Sequence, residues 1–156
     1  TTQAQILKLL WNMQQQLGMA IMLITHDLGV VAEMANYVAV MYLGRVVETA
    51  DIDSIFHDPR HPYTQALLRS IPKIAEPSHT RLTAIPGRPP DLVDLPKGCR
   101  FAGRCPYAQD RCREEQPPLR PGVAPGHEFR CWFPVGTPEG AEALARNQAA
   151  GVGGPS

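Results

Sequence analysis

At 156 residues, with 15 basic and 15 acidic side chains and a formal net charge of zero, the chain carries no basic footprint of the kind nucleic-acid binding requires. No apolar run approaches the roughly 20 residues that span a bilayer, and Thr1 opens into a helix-like pattern without a basic leader. Composition divides the chain three ways. An aliphatic, periodic stretch comes first, then a Pro-rich stretch holding all four cysteines, then a Gly-, Ala- and Pro-rich end expected to be a flexible tail over residues 136–156.

In chain order, Ile6, Leu9, Leu10, Met13 and Leu17 fall at helical spacing on one face, and Gly18 stands where a helix ends. Met19–Thr25 is a continuous apolar run bounded by Gly18 and His26-Asp27, the pattern of a strand buried on both faces. Asp27 is placed to cap a helix over Leu28–Ala35. Tyr37–Leu43 and Arg45–Thr49, separated by Gly44, read as a hairpin at a sheet edge. Asp51 or Asp53 caps a short helix through Ile55 and Phe56, which Asp58-Pro59 breaks. Pro62 opens another helix, with Tyr63, Ala66, Leu67 and Ser70 on one face, that stops at Ile71-Pro72. Helix, buried strand, helix and strand pair together predict an α/β fold with an incomplete sheet.

Two groups of residues carry chemistry. His26 follows the apolar run, at the carboxyl end of the expected strand, where α/β sheets bind ligands and where an imidazole can reach a phosphate oxygen or a water. The plain alternative is a histidine that only flanks the next helix. The second group is Cys99, Cys105, Cys112 and Cys131, spaced C-x5-C-x6-C-x18-C with no CxxC pair. In a reducing compartment, clustered thiols serve metals more often than disulfides. Zinc sites commonly use short CxxC knuckles, whereas iron–sulfur sites accept wider separations; either group suits these thiols. Arg100, Arg104, Arg111 and Arg113 lie among these thiols, positioned to offset their negative charge. His127 offers a substitute zinc ligand, with an exposed loop position as its simpler role. So short a segment with few aliphatics is not expected to build its own core, and a metal centre would tie its loops together.

The run LLWNMQQQLGMAIMLITHDLGVVAEMANYVAVMYLGRVVE resembles the end of an ABC-transporter ATPase domain. Its Ile24-Thr25-His26-Asp27 is similar to that family's H-loop, and Met41–Glu48 matches its hydrophobic–Gly–Arg–hydrophobic–Val-Glu signature. The strings HPYTQALL (His61–Leu68), IPGRPPDL (Ile85–Leu92) and the cysteine segment resemble the C-terminal extension of the oligopeptide, dipeptide and nickel subfamily. This resemblance implies a C-terminal portion of a P-loop ABC ATPase domain over residues 1–56. A four-Cys extension would follow over residues 57–135, and then the tail. It implies that His26 is the catalytic and cofactor-binding histidine, contacting the γ-phosphate of Mg-ATP in the full-length subunit. It implies a 4Fe–4S cluster, or zinc, on Cys99, Cys105, Cys112 and Cys131. Its partners would be a second ATP-binding subunit, membrane permease subunits and, indirectly, a solute-binding protein, at the cytoplasmic face of the membrane and without nucleic acid. The run G-x-x-x-x-G-K-[ST] that cradles phosphates is not in the sequence. The chain is therefore expected to be one piece of a longer ATPase and inactive alone. The competing class is a stand-alone metal- or Fe–S-binding regulatory module.

Overall fold

The computed structural model describes residues 1–71 and 84–152, which form two compact units, Thr1–Ala35 and Asn36 onwards. Pro72, the expected helix stop, lies outside the described residues, as does the end of the expected tail.

In the first unit, α1 spans Thr2–Leu17. The Thr1 hydroxyl accepts from the N–H of Ala4, and Gly18, at φ 63°, closes the helix as its periodicity predicts. The second helix, α2, spans Leu28–Met34. Asp27 Oδ1 accepts from the N–H groups of Gly29 (2.9 Å) and Val30 (3.3 Å), satisfying two donors the helix leaves open. Between them, Met19–Thr25 forms no strand. Met22 and Ile24 are 91% and 93% exposed. The reason is physical: an extended segment becomes a strand only with a hydrogen-bonded neighbour, and none pairs with it among the described residues.

The second unit is built on a four-stranded antiparallel sheet of order β1-β2-β4-β3. The long strands are β1 (Tyr37–Tyr42) and β2 (Arg45–Asp51); β3 (Arg120–Pro121) and β4 (Glu128–Phe129) are two residues each. Leu43 and Gly44 both have positive φ (47° and 74°), the two-residue turn whose twist suits a hairpin. The register shifts after Val40, so that Val40 faces Glu48 and Met41 faces Val46. The extra residue on β2 breaks the in–out alternation and buries Val47 and Glu48 together.

Helix α3 (Ile52–His57) is capped by Asp51, whose carboxylate accepts from the Ser54 hydroxyl (2.7 Å) and N–H (2.9 Å). Those bonds lower the Asp51 pKa. Helix α4 (Pro62–Arg69) starts on Pro62, with His61 Nδ1 accepting from the Tyr63 N–H at 3.1 Å. A 3-10 turn (Ala102–Arg104) and α5 (Asp110–Glu114) carry the middle of the cysteine segment.

The extension shares the hairpin's core: Phe101, between Cys99 and Cys105, is 1% exposed and packs with Val40, Tyr42, Val47, Ala50 and Ile55 of the hairpin and α3, while Ala102, Ala108 and Cys112 form a second, smaller buried cluster within the extension. Its ring lies 5.2 Å from Tyr42 and 5.4 Å from Tyr63, centroid to centroid. β4 then extends the hairpin sheet, and the second compact unit runs from Asn36 onwards. Lastly, the expected flexible tail contains helix α6, Pro138–Ala149. Thr137 caps it through Gly140 N–H (3.1 Å), Pro138 opens it, and fully buried Ala143 docks it. Gly140 is required there, since a Cβ would stand 2.0 Å from the Pro134 carbonyl oxygen.

Candidate functional site

The four cysteines, spread from Cys99 to Cys131 in sequence, line one cavity. Phe101, Tyr107, Trp132 and Phe133 supply aromatic wall, and His61 closes a further side. Short local bonds set each thiol in place. Cys99 N–H donates to the Cys112 carbonyl at 2.7 Å, tying the first thiol to the third. That approach depends on Gly98, where a Cβ would meet the same carbonyl oxygen at 2.2 Å. Cys112 Sγ accepts from Gln109 N–H at 3.5 Å. Cys131 follows β4, which is held to β2 by Arg130 N–H donating to Val47 O at 2.8 Å, and its own carbonyl accepts from Arg120.

Burial pushes all four thiols up, Cys105 and Cys131 furthest. Mutual repulsion adds to this at Cys105, chiefly from Cys131. Backbone N–H groups oppose it: Phe101 at Cys99, Tyr107 at Cys105, Gln109 at Cys112 and Phe133 at Cys131. Arg113 and Arg111 lower Cys112, and Arg120 lowers Cys131. None of the four is in a disulfide, and burial favours the protonated thiol at each of them. Four soft donors, an apolar wall and N–H groups facing sulfur fit a thiophilic metal group, whose binding must displace thiol protons. The side chains do not stand as a ready single-ion site. Among the described residues, no three His, Cys, Asp or Glu side chains form a group able to hold a metal ion.

Two of the expected arginine roles are corrected. Arg100 donates to the Leu43 carbonyl, and Arg104 donates to the carbonyls of Ile85 and Pro86, both at 3.0 Å. Both fasten backbone and do not face sulfur. Arg111 instead lies 3.5 Å over the Trp132 ring, against the cavity wall.

His127 is buried, not in an exposed loop. At 1% exposure its Nε2 lies 2.7 Å from Glu48 Oε1, and Glu48 is fully buried. The same carboxylate accepts from the N–H groups of Arg60 (2.6 Å) and His61 (2.9 Å). Glu48 thus joins the hairpin, the start of α4 and the β3–β4 turn through one group. Sequence reasoning missed this node. The one available signal was a carboxylate placed next to two valines in a strand, where alternation alone would not bury both it and Val47.

His26 lies in the other unit. It is exposed, in the bend between Thr25 and α2, where Asp27 N–H donates to Thr25 Oγ1 at 3.0 Å. No helix among the described residues is long and apolar enough to cross a membrane.

The profile of the family described as oligopeptide/dipeptide transporter, C-terminal region, matches residues 47–112, from the bulge of β2 to the third cysteine. The chain is similar to the C-terminal part of oligopeptide/dipeptide ABC-transporter ATP-binding proteins. It is 53% identical over 135 residues to the dipeptide transport ATP-binding protein DppD of Escherichia coli K12, covering 86% of this chain and 41% of DppD. It is 46% identical over 155 residues to the oligopeptide transport ATP-binding protein OppD of Bacillus subtilis 168, covering 96% of this chain and 43% of OppD. A probable peptide ABC transporter ATP-binding protein of Sinorhizobium fredii is 48% identical over 132 residues, or 85% of this chain and 39% of that protein. The chain thus spans about two fifths of the length of these relatives.

Proposed function

We propose that this chain serves within the ATP-binding subunit of an ABC importer for peptides or related solutes. Residues 1–56 would contribute the last part of the ATPase domain, and the extension would follow. The supporting observation is the extent of likeness: 85–96% of the chain aligns at 46–53% identity with proteins named as peptide-transport ATP-binding proteins. His26 is the residue assigned to nucleotide. Its imidazole would hydrogen-bond the γ-phosphate of Mg-ATP and orient the attacking water, with Asp27 fixing the chain direction through the α2 cap. The residues that cradle the other phosphates would lie elsewhere in the full-length subunit, so this chain alone is expected not to hydrolyse ATP. The subunit would pair with a second ATP-binding subunit and drive permease subunits from the cytoplasmic face, with a solute-binding protein delivering the cargo.

Cys99, Cys105, Cys112 and Cys131 are assigned to a 4Fe–4S cluster, with zinc as the alternative. Either group, when bound, would supply a structural cross-link between loops. The chain's own contribution is the apolar cavity, the N–H groups facing sulfur and the loss of the thiol protons, so affinity rises with pH.

In the full-length subunit assembled with its permeases, His26→Ala is expected to lower ATP hydrolysis by about 10²-fold or more while leaving assembly intact. Hydrolysis at the parental rate would remove His26 from the mechanism. For the thiols, anaerobically purified protein is expected to carry iron and acid-labile sulfide with visible charge-transfer absorption. A colourless protein holding one equivalent of zinc would replace the cluster with zinc.

A further inference from the structure

Helix α6 lies beyond both the matched region and the last cysteine, yet its side chains close on the segment between the second and third cysteines. Asn147 Nδ2 donates to the carbonyls of Pro106 (2.8 Å) and Ala108 (2.9 Å), the turn that follows Cys105. Asn147 Oδ1 accepts from Gln109 Nε2 at 2.9 Å, and the same Nε2 lies 3.2 Å from the Ala143 carbonyl within α6. Gln109 is the residue whose own N–H reaches Cys112 Sγ. Ala108 N–H meanwhile donates to the Cys105 carbonyl at 3.2 Å. One amide pair thus grips the Cys105–Cys112 loop at both ends, and the helix that carries it is anchored by buried Ala143.

We propose that α6 is a clamp that holds Cys105 and Cys112 at the shared cavity, with Asn147 and Gln109 as its positioning residues. The clamp draws its purpose from the metal-site proposal, but its geometry stands without metal. Asn147 uses both donors and its acceptor on loop partners. Losing two neutral hydrogen bonds, each worth about 1 kcal/mol, opens the loop about tenfold or more. Because these bonds act on one loop, the effect is confined to two of the four thiols.

The test uses the 156-residue chain, stripped of metal, with iodoacetamide as the probe and peptide mass spectrometry reading each cysteine separately. Asn147→Asp keeps the shape and the acceptor but removes both donors. It is expected to speed alkylation of Cys105 and Cys112 about tenfold or more, while Cys131, outside the loop, changes less than about twofold. Parental rates at Cys105 and Cys112 would overturn the clamp. Equal acceleration at all four cysteines would also overturn it, since that reports general loosening. Should Asn147→Asp lose its helical circular dichroism, Gln109→Met takes its place, with the same rates expected and the same rates overturning the clamp. Loading with ferrous iron and sulfide forms the separate arm. The clamp predicts faster iron loss from Asn147→Asp than from the parent. A parent that retains no iron sinks the cluster alone, since the alkylation rates are read on metal-free protein.

Discussion

The two units treat the same kind of side chain in opposite ways. In Thr1–Ala35 the helices are well capped, yet α1 buries none of its residues, and Met22 and Ile24 stand almost wholly exposed. From Asn36 onwards, Val40, Val47, Ile55 and Phe101 are under 9% exposed, although two of the four strands are two residues long. Caps and periodicity are local and form helices wherever they occur. Burial is a property of neighbours, and among the described residues the first unit buries only Val30. Trp11 and Trp132 fall one in each unit, so single-Trp variants (Trp11→Phe or Trp132→Phe) report on each separately.

The contrast is most sharply broken at Glu48. Replacing it with Ala leaves buried His127 and the N–H groups of Arg60 and His61 without a partner. A loss of about 3–5 kcal/mol is expected in the second unit, measured by denaturant titration of Trp132 fluorescence, with the Trp11 signal unchanged. A shift of less than about 1 kcal/mol would mean that the node does not hold the unit together.

A smaller effect is expected from Gly98→Ala, whose Cβ would press on the Cys112 carbonyl at 2.2 Å. The Cys99–Cys112 bond must part, costing about 1–3 kcal/mol and exposing thiols to alkylation in the folded protein. Unchanged stability and thiol rates would show that the backbone there relaxes freely.

His61 ties the second unit to pH. Burial lowers its pKa from 6.5 to about 3. Between those values the unfolded chain binds a proton that the folded chain does not. Stability from this group is therefore fully present above about pH 6.5 and falls as pH drops towards 3. His61→Asn keeps a capping acceptor for Tyr63 N–H and removes the titration, so its acid limb between pH 6.5 and 3 is expected to be flatter than the parent's. Parallel limbs would show that His61 is not the group that titrates.

The smallest expected effect lies in the first unit. Ile24→Ser should change stability by no more than about 0.5 kcal/mol, whereas Ile55→Ala in the second costs about 2–5 kcal/mol. Equal costs would erase the distinction between the units.

Much of this was legible in the sequence where one residue acts on its near neighbours. Gly18, Asp27, Asp51 and Pro62 end or begin helices as their chemistry dictates, and Gly44 turns the hairpin. That the four thiols line one cavity is in keeping with their residue type and confinement in sequence. Helix α6 was hidden by its Gly- and Ala-rich composition, despite a readable start in Thr137, Pro138 and Glu139. Glu48 with His127, Phe101 beneath the hairpin, and the added β4 all join residues far apart in sequence. No local pattern encodes such pairings. Met19–Thr25 failed for the converse reason: its pattern is that of a strand, but a pattern supplies no partner.

Hydrogen exchange on the 156-residue chain tests the difference between the units most directly. The amides of Cys99 and Arg130, bonded to Cys112 and Val47, are expected to exchange slowly and together with the β1–β2 ladder, while those of Met22 and Ile24 exchange at nearly the unprotected rate. Protection of Met19–Thr25 equal to that of β2 would contradict the account.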